Sequence, residues 1–85
     1  MNVHLRYFAS LREAVGLSAE TLVLPAGIET TADLRRHLAA RGGIWAEALA
    51  PERALRVALD QDLSTPDARL HEGAEVAFFP PVTGG

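Results

Sequence analysis

Alternating apolar and polar residues predict a β-strand near the start of the chain and several more along it. Val3, Leu5 and Tyr7 alternate with their neighbours at the two-residue period of a strand, which predicts a first strand over residues 3–8. Further strands are predicted at residues 20–24, around Leu55, Val57 and Leu59, near Leu63, and at residues 75–79. The pattern therefore indicates a sheet of four or five strands.

One helix dominates the segment between the second and third strands. Thr30 stands three residues before Asp33, the spacing at which a hydroxyl and a carboxylate cap each other's main-chain amides. Two leucines then recur on one helical face, which predicts the main helix over residues 31–41. Gly42 and Gly43 are expected to end it.

Two shorter helical segments are predicted, one before the second strand and one after the main helix. Ser10 and Glu13 repeat the capping spacing, so a short helix is expected after the first strand and should end at Gly16. A second helical turn, stopped by Pro51, is expected to pack Trp45 over the edge of the core.

The order of these elements predicts an α+β fold with one main helix packed on one face of a mixed sheet. It matches the β-grasp, or ubiquitin-like, order, in which the first and last strands lie side by side at the centre of the sheet. A ferredoxin-like split βαβ arrangement is the alternative on element order alone.

Composition excludes several classes of protein. The 85 residues suffice for one domain, and the absence of Cys excludes disulfide scaffolds, thiolate metal sites and thiol nucleophiles. A net charge of −3 with scattered charges argues against nucleic-acid binding. No apolar run approaches the roughly 18 residues of a membrane span, so a cytoplasmic protein without membrane contact is expected.

The acidic turn at Asp60 does not satisfy the requirements of a calcium loop. Such a loop beginning at Asp60 needs glycine at its sixth position and glutamate at its twelfth, where this sequence has Thr65 and His71. We therefore predict no metal site and no bound cofactor.

The end of the chain changes abruptly in composition. Its last six residues are Pro80, Pro81, Val82, Thr83, Gly84 and Gly85. Because proline cannot donate a ladder hydrogen bond, strand pairing should stop at Phe79, which divides the chain into a domain over 1–79 and an extended tail over 80–85. Six residues span roughly 20 Å, and the side-chain-free glycines could pass through a narrow channel to present the carboxylate of Gly85. A frayed terminus is the alternative.

Two aromatic residues are expected on the face of the sheet that the main helix does not cover. If Val3, Leu5 and Tyr7 face the core, the alternation directs Phe8 to the other face, and the same rule places Phe79 there. Phe8 and Phe79 would then form an exposed apolar patch beside the root of the tail, a feature typical of interaction sites. The alternative is that either ring turns back into the core where its strand ends.

Two segments of the chain resemble the small subunits of molybdopterin synthase. They are residues 75–85, which read EVAFFPPVTGG, and residues 7–13, which read YFASLRE. The resemblance covers essentially the whole chain, and the phenylalanine-proline run is its specific part, since other sulfur carriers and ubiquitin-like modifiers share the terminal glycines. One departure is Asp60, where the family pattern has Asn in a turn.

The resemblance implies a sulfur carrier whose reactive group is its own terminus. An activating enzyme resembling those of ubiquitin would adenylate Gly85 with ATP, and a sulfur donor would convert it to a thiocarboxylate. The tail would then enter the large synthase subunit, in a complex of two large and two small subunits, and donate sulfur to cyclic pyranopterin monophosphate. The chain itself would be non-catalytic.

The resemblance also implies a partner surface. The positions that match the family's contacts with the large subunit are Phe8, Leu63 and Phe79. Arg12 follows the first strand on the tail's side of a β-grasp domain, which makes it a candidate contact of the activating enzyme. The alternatives are a carrier or modifier for thiamine, tRNA thiolation or protein conjugation, and an interaction module without terminal chemistry.

Overall fold

A computed structural model describes residues 1–81, which form five strands and three helices. In chain order they are β1 (Asn2–Tyr7), α1 (Ala9–Val15), β2 (Ala19–Val23), α2 (Thr31–Ala39), α3 (Gly43–Ala48), β3 (Arg56–Leu59), β4 (Asp62–Leu63) and β5 (Ala74–Phe79).

The sheet has the strand order β2-β1-β5-β3-β4. The first and last strands, β1 and β5, are central neighbours and run parallel, whereas the other three pairs are antiparallel. A parallel pair formed by the first and last strands is the β-grasp arrangement, so the predicted fold is confirmed. It excludes the split βαβ alternative.

One face of the sheet packs against the helices to form the core. From β1 this face contributes Val3, Leu5 and Tyr7, which are almost completely buried, as the alternation predicted. Leu34 and Leu38 of α2 are buried against them, which confirms that the leucine stripe faces the sheet. The remaining buried apolar side chains of this core are Leu11, Leu24, Leu49, Val57, Leu70, Ala74, Val76 and Phe78.

The capping box of α2 is confirmed. The main-chain amide of Asp33 donates to the hydroxyl of Thr30 at 3.1 Å, and the Asp33 carboxylate accepts from the amide of Thr30 at 3.1 Å. These two bonds satisfy amides that the first helical turn leaves unpaired. They define where α2 begins.

The prediction that Ser10 caps α1 was wrong. Phe8 is the N-cap, with no side-chain capping bond, because the chain turns from strand to helix within a single residue, Ala9, at φ 53°. Ser10 therefore lies inside the first turn. The predicted end of α1 at Gly16 is correct, since this residue has the left-handed φ of 74° that glycine favours.

The glycine pair after α2 begins the next helix instead of ending the previous one. Ala40 is the C-cap of α2 with ordinary helical angles, whereas Gly42, at φ 80°, is the N-cap of α3. The left-handed angle that glycine permits is used to change the chain's direction between the two helices.

Within residues 1–81, no helix is long and apolar enough to span a bilayer.

Candidate functional site

The root of the tail is held against the body of the domain. Strand pairing ends at Phe79, which lies opposite Arg56 in the last pair between β5 and β3. Pro80 and Pro81 follow and are half-buried. Pro80 lines a small cavity beside α1 and α3, whereas Pro81 lines a larger one, about 650 Å³, between α2 and β3. The two prolines therefore border cavities that the helices also line.

The rest of the predicted tail lies outside the described residues. These positions are Val82, Thr83, Gly84 and Gly85. The proposed chemistry at Gly85 and the division at residue 79 therefore stay predictions. The described residues establish the point from which the tail departs.

Phe8 lies on the face of the sheet that the helices leave open. Its backbone is extended, at φ −128° and ψ 157°, so the strand alternation continues one residue past the end of β1. Its neighbour Tyr7 is 1% exposed, whereas Phe8 is 40% exposed. The prediction that these two rings point to opposite faces is correct.

Phe79 and Leu63 lie on the same open face. The β1–β5 register pairs Tyr7 with Phe78, so the next positions, Phe8 and Phe79, are adjacent at the tail's end of the sheet. Phe79 is half-buried, and Leu63 is 63% exposed on the edge strand β4. The structure thus brings the three predicted interface residues together on one surface, which we call the open face. That a partner binds there stays a prediction.

Arg12 occupies an exposed position on α1, the helix that follows Phe8. Its main-chain carbonyl accepts the hydrogen bond of Gly16 at 2.9 Å that closes the helix. Among residues 1–81, its guanidinium has no hydrogen-bond or ion-pair partner. The side chain is therefore accessible, as its predicted contact with an activating enzyme requires.

Comparison with known proteins identifies the family. The model of the ThiS family matches residues 5–85. The molybdopterin synthase sulfur carrier subunits of Escherichia coli and Haemophilus influenzae are 46% and 42% identical over 79 residues, each alignment covering 93% of this chain and 94% of the relative. The chain belongs to the ThiS family. The resemblance to the molybdopterin synthase small subunits is confirmed.

A solved structure supports the fold of this ThiS-family chain. It is the complex of subunits 1 and 2 of the molybdopterin-converting factor from Helicobacter pylori 26695, in which the matched chain is 23% identical and superposes with a TM-score of 0.67. The match covers 100% of both chains. The β-grasp body is therefore shared over its whole length.

A polar and aromatic network lies at the opposite, covered face of this ThiS-family chain. The hydroxyl of Tyr7 donates to Glu20 at 2.8 Å, and both terminal nitrogens of Arg41 donate to the same carboxylate at 2.9 Å. The Arg41 guanidinium lies 4.3 Å from the centre of the Trp45 ring, which meets Tyr7 edge-on at 5.4 Å. Each of the four side chains contacts two of the others.

The network shifts the pKa values of Glu20 and Tyr7 in opposite directions. The hydrogen bonds from Arg41 keep the pKa of Glu20 below its usual value, and burial, reinforced by the hydrogen bond to Glu20, raises the pKa of Tyr7. Strand alternation predicts that Tyr7 lies in the core but does not identify its partners. The available signal was that a buried tyrosine hydroxyl needs an acceptor, and that Glu20 shares the inward face of β2 with Leu22.

The acidic turn between β3 and β4 is stabilised by the residue that departs from the family pattern. Asp60 and Gln61 adopt positive φ angles of 51° and 72°, as tight two-residue hairpins require. The Asp60 carboxylate accepts from the amide of Glu75 at 3.1 Å and from the ring of His71 at 2.5 Å. Aspartate therefore joins the turn to the start of β5.

The contact between Asp60 and His71 shifts the titration of both groups. The hydrogen bond from His71, followed by that from Glu75, lowers the pKa of Asp60. The hydrogen bond to Asp60, followed by that to the Glu72 carbonyl, raises the pKa of His71. Both side chains are exposed, so the pair is a surface contact.

Within residues 1–81, no group of three or more acidic or histidine side chains is arranged to bind a metal.

Proposed function

We propose that this chain is the sulfur carrier subunit of a molybdopterin synthase. The observation that carries the proposal is its identity of 46% with the sulfur carrier subunit of Escherichia coli, over 93% of this chain. The proposal assigns the reaction to Gly85 and the recognition of partners to the folded body.

The chemistry starts from a carboxylate, which is a poor electrophile. An activating enzyme joins the carboxylate of Gly85 to the phosphate of AMP, using ATP and releasing pyrophosphate. Sulfide delivered by a sulfur donor then attacks the acyl carbon and AMP leaves, which produces a thiocarboxylate; a donor that attacks as a persulfide forms an acyl disulfide, which a thiol then reduces. The terminal sulfur is a soft, anionic nucleophile. Because ATP is consumed in this step by a separate enzyme, we place the carrier in the cytoplasm and assign no resident cofactor to it.

The body of the domain then delivers the sulfur to a large synthase subunit. We propose that the open face binds this subunit through Phe8, Leu63 and Phe79, while residues 80–85 enter its active site. An exposed apolar surface at the tail's root supports this arrangement, since contact there directs the tail into the partner. Arg12 is proposed to contact the activating enzyme.

The terminal sulfur is proposed to attack cyclic pyranopterin monophosphate, which joins Gly85 to the pterin as a thioester. Water then cleaves the acyl–sulfur bond, so that the sulfur stays on the pterin and Gly85 regains its carboxylate. The dithiolene product holds two sulfur atoms, so two loaded carriers are consumed for each product molecule. A complex of two large and two small subunits would supply them. The side chains that act on the pterin belong to the large subunit.

Reconstitution tests the proposal directly. The thiocarboxylated chain, the large subunit from the same genome and cyclic pyranopterin monophosphate are mixed, and the pterin product is measured by mass spectrometry. We expect a product with two sulfur atoms and two discharged carriers for each molecule formed. A chain that loads with sulfur but neither binds the large subunit nor discharges in its presence would contradict the proposal and favour a recipient in thiamine synthesis, tRNA thiolation or protein conjugation.

A further inference from the structure

The open face carries two arginines close to the root of the tail. In the register of β1 and β5, Arg6 lies opposite Ala77, and in that of β3 and β5, Arg56 lies opposite Phe79. Both side chains therefore lie on the open face, as Phe79 does. The guanidinium of Arg6 also lies 5.7 Å from the centre of the Phe8 ring.

Among the residues that the structure describes, these arginines differ from most others in having no polar partner. All eight basic residues are arginine, and five of them bind a carboxylate or main-chain carbonyls: Arg35, Arg36, Arg41, Arg53 and Arg69. Within residues 1–81, the three whose guanidinium makes no hydrogen bond or ion pair are Arg6, Arg12 and Arg56. Two of these three lie on the open face.

Acidic side chains are concentrated at the other end of the same sheet. Glu75 lies opposite His4, one outward position further from the tail than Arg6, and Asp60 and Glu72 belong to the turns at that far end. The open face is therefore positive beside the tail although the whole chain carries a net charge of −3. A partner that covers Phe8 and Phe79 must also approach Arg6 and Arg56.

We propose that Arg6 and Arg56 are specificity determinants of the open face, each pairing with a carboxylate of the large subunit at the rim of the apolar contact. This inference rests on the proposed function and adds the chemistry of the partner surface to it. The partner surface is apolar where it meets Phe8 and Phe79 and acidic on both sides of that contact.

The geometry at Arg6 suits this role. The cation–π contact with the Phe8 ring, at 5.7 Å, favours side-chain conformations that keep the guanidinium near the ring, and its planar N–H donors can bind a carboxylate in pairs. Restriction before binding reduces the entropy lost when the ion pair forms. Arg56 is exposed beside Phe79 and supplies a second donor group on the other side of the aromatic pair.

The same features favour a protein over a nucleic acid as the occupant. Among the described residues, two cations lie on this face, next to exposed apolar side chains such as Phe8 and Leu63, and Glu75 would repel a phosphate chain that continued along the sheet. Nucleic-acid sites instead combine larger clusters of basic residues. An apolar centre with a charged rim is the usual construction of a protein interface.

The test is to measure the affinity and association rate of the full chain for the large subunit from the same genome, at low and high salt. The variants are Arg6→Glu and Arg56→Glu, with Arg69→Glu as the matched control because it makes the same change in charge at an exposed position outside the open face. We expect each open-face reversal to weaken binding about tenfold or more, mainly through slower association, and to reduce the salt dependence. Arg69→Glu should bind like the wild type.

Other outcomes would overturn the inference. Unchanged affinity of both open-face reversals, in a complex that Phe79→Ala still weakens, would contradict the role of the arginines and leave the proposed function standing. No complex even with the wild-type chain would contradict the proposed function itself. Binding of a DNA oligonucleotide that Arg6→Glu abolishes would show that the face recognises phosphate. Melting temperatures establish folding. Arg6→Gln or Arg56→Gln, which removes the charge without reversing it, replaces a reversal at the same position that fails to fold.

Discussion

Tyr7 and Glu20 are joined across β1 and β2 by a hydrogen bond of 2.8 Å from the phenol to the carboxylate. Arg41 holds the same carboxylate from the segment after α2, and its side chain stacks on Trp45 of α3. This contact connects the edge of the sheet to two helices. The covered face therefore holds a polar network that needs the side chains of Tyr7, Glu20 and Arg41 together.

Substitutions in this network should lower the free energy of unfolding by amounts that differ in a defined order. Tyr7→Phe removes one hydrogen bond and keeps the ring, so we expect a loss of about 1 kcal/mol in the free energy of unfolding. Arg41→Ala leaves the Glu20 carboxylate without its cation and exposes Trp45, for which we expect about 2 kcal/mol. Urea unfolding measures both. A larger loss for Tyr7→Phe than for Arg41→Ala would contradict the order.

Phe79→Ala should separate binding from folding. Because the ring is half-buried on the open face, we expect the variant to stay folded and its affinity for the large subunit to fall by about 2 kcal/mol. Phe78→Ala is the matched control, since its ring is 2% exposed in the core. That variant should lose about 3–5 kcal/mol of stability. Unfolding of Phe79→Ala would place its ring in the core instead.

The pair formed by Asp60 and His71 should make stability depend on pH. The pKa of His71 is raised above 6.5, so its contribution is complete below that value and is lost as pH rises through the higher folded value. The pKa of Asp60 is lowered below 3.8, so its contribution is complete above that value and is lost as pH falls through the lower one. The pair is therefore most stabilising between these two ordinary values.

Asp60→Asn tests this pH dependence because asparagine can still accept the hydrogen bond from Glu75. We expect the wild type to exceed this variant in melting temperature at about pH 5.5, and the difference to shrink as the pH is raised toward about 8.5 and the His71 imidazole loses its proton. An equal difference at both values would show that the charge of His71 contributes nothing to the turn.

Lengthening the chain should abolish sulfur transfer without changing the fold. One alanine added after Gly85 moves the reactive carboxylate beyond its position in the partner's active site, whereas the last strand ends six residues earlier in sequence, at Phe79. We expect an unchanged melting temperature and no sulfur in the pterin product. The matched control carries one extra residue before Met1 and should retain transfer. Transfer by the chain lengthened at Gly85 would contradict a role for the terminus.

Hydrophobic periodicity predicted the sheet and the main helix because each of these elements buries one continuous face. The alternation in β1 and the leucine stripe of α2 have one buried face each, and burial determines where such residues lie. Helix boundaries were less predictable. Ser10 has the right spacing for a cap, but the strand ends at Tyr7 and the chain turns at Ala9, so the tertiary connection determined where α1 begins.

The candidate site was predictable where it depended on alternation and not where it depended on register. Strand alternation placed Phe8 and Phe79 on the open face. The alignment of Arg6 and Arg56 with these rings follows from the pairing of β5 with both β1 and β3, which residues far apart in sequence determine. The bond from His71 to Asp60 likewise joins two turns that only the folded sheet brings together.

The mass of the intact chain tests the central claim most directly. The purified chain is incubated with its activating enzyme, ATP and a sulfur donor, and then measured by mass spectrometry. We predict a gain of about 16 Da, the replacement of one carboxylate oxygen by sulfur, located by fragmentation at Gly85. A chain that keeps its original mass, in a reaction where the same enzyme loads a known carrier, would contradict the account.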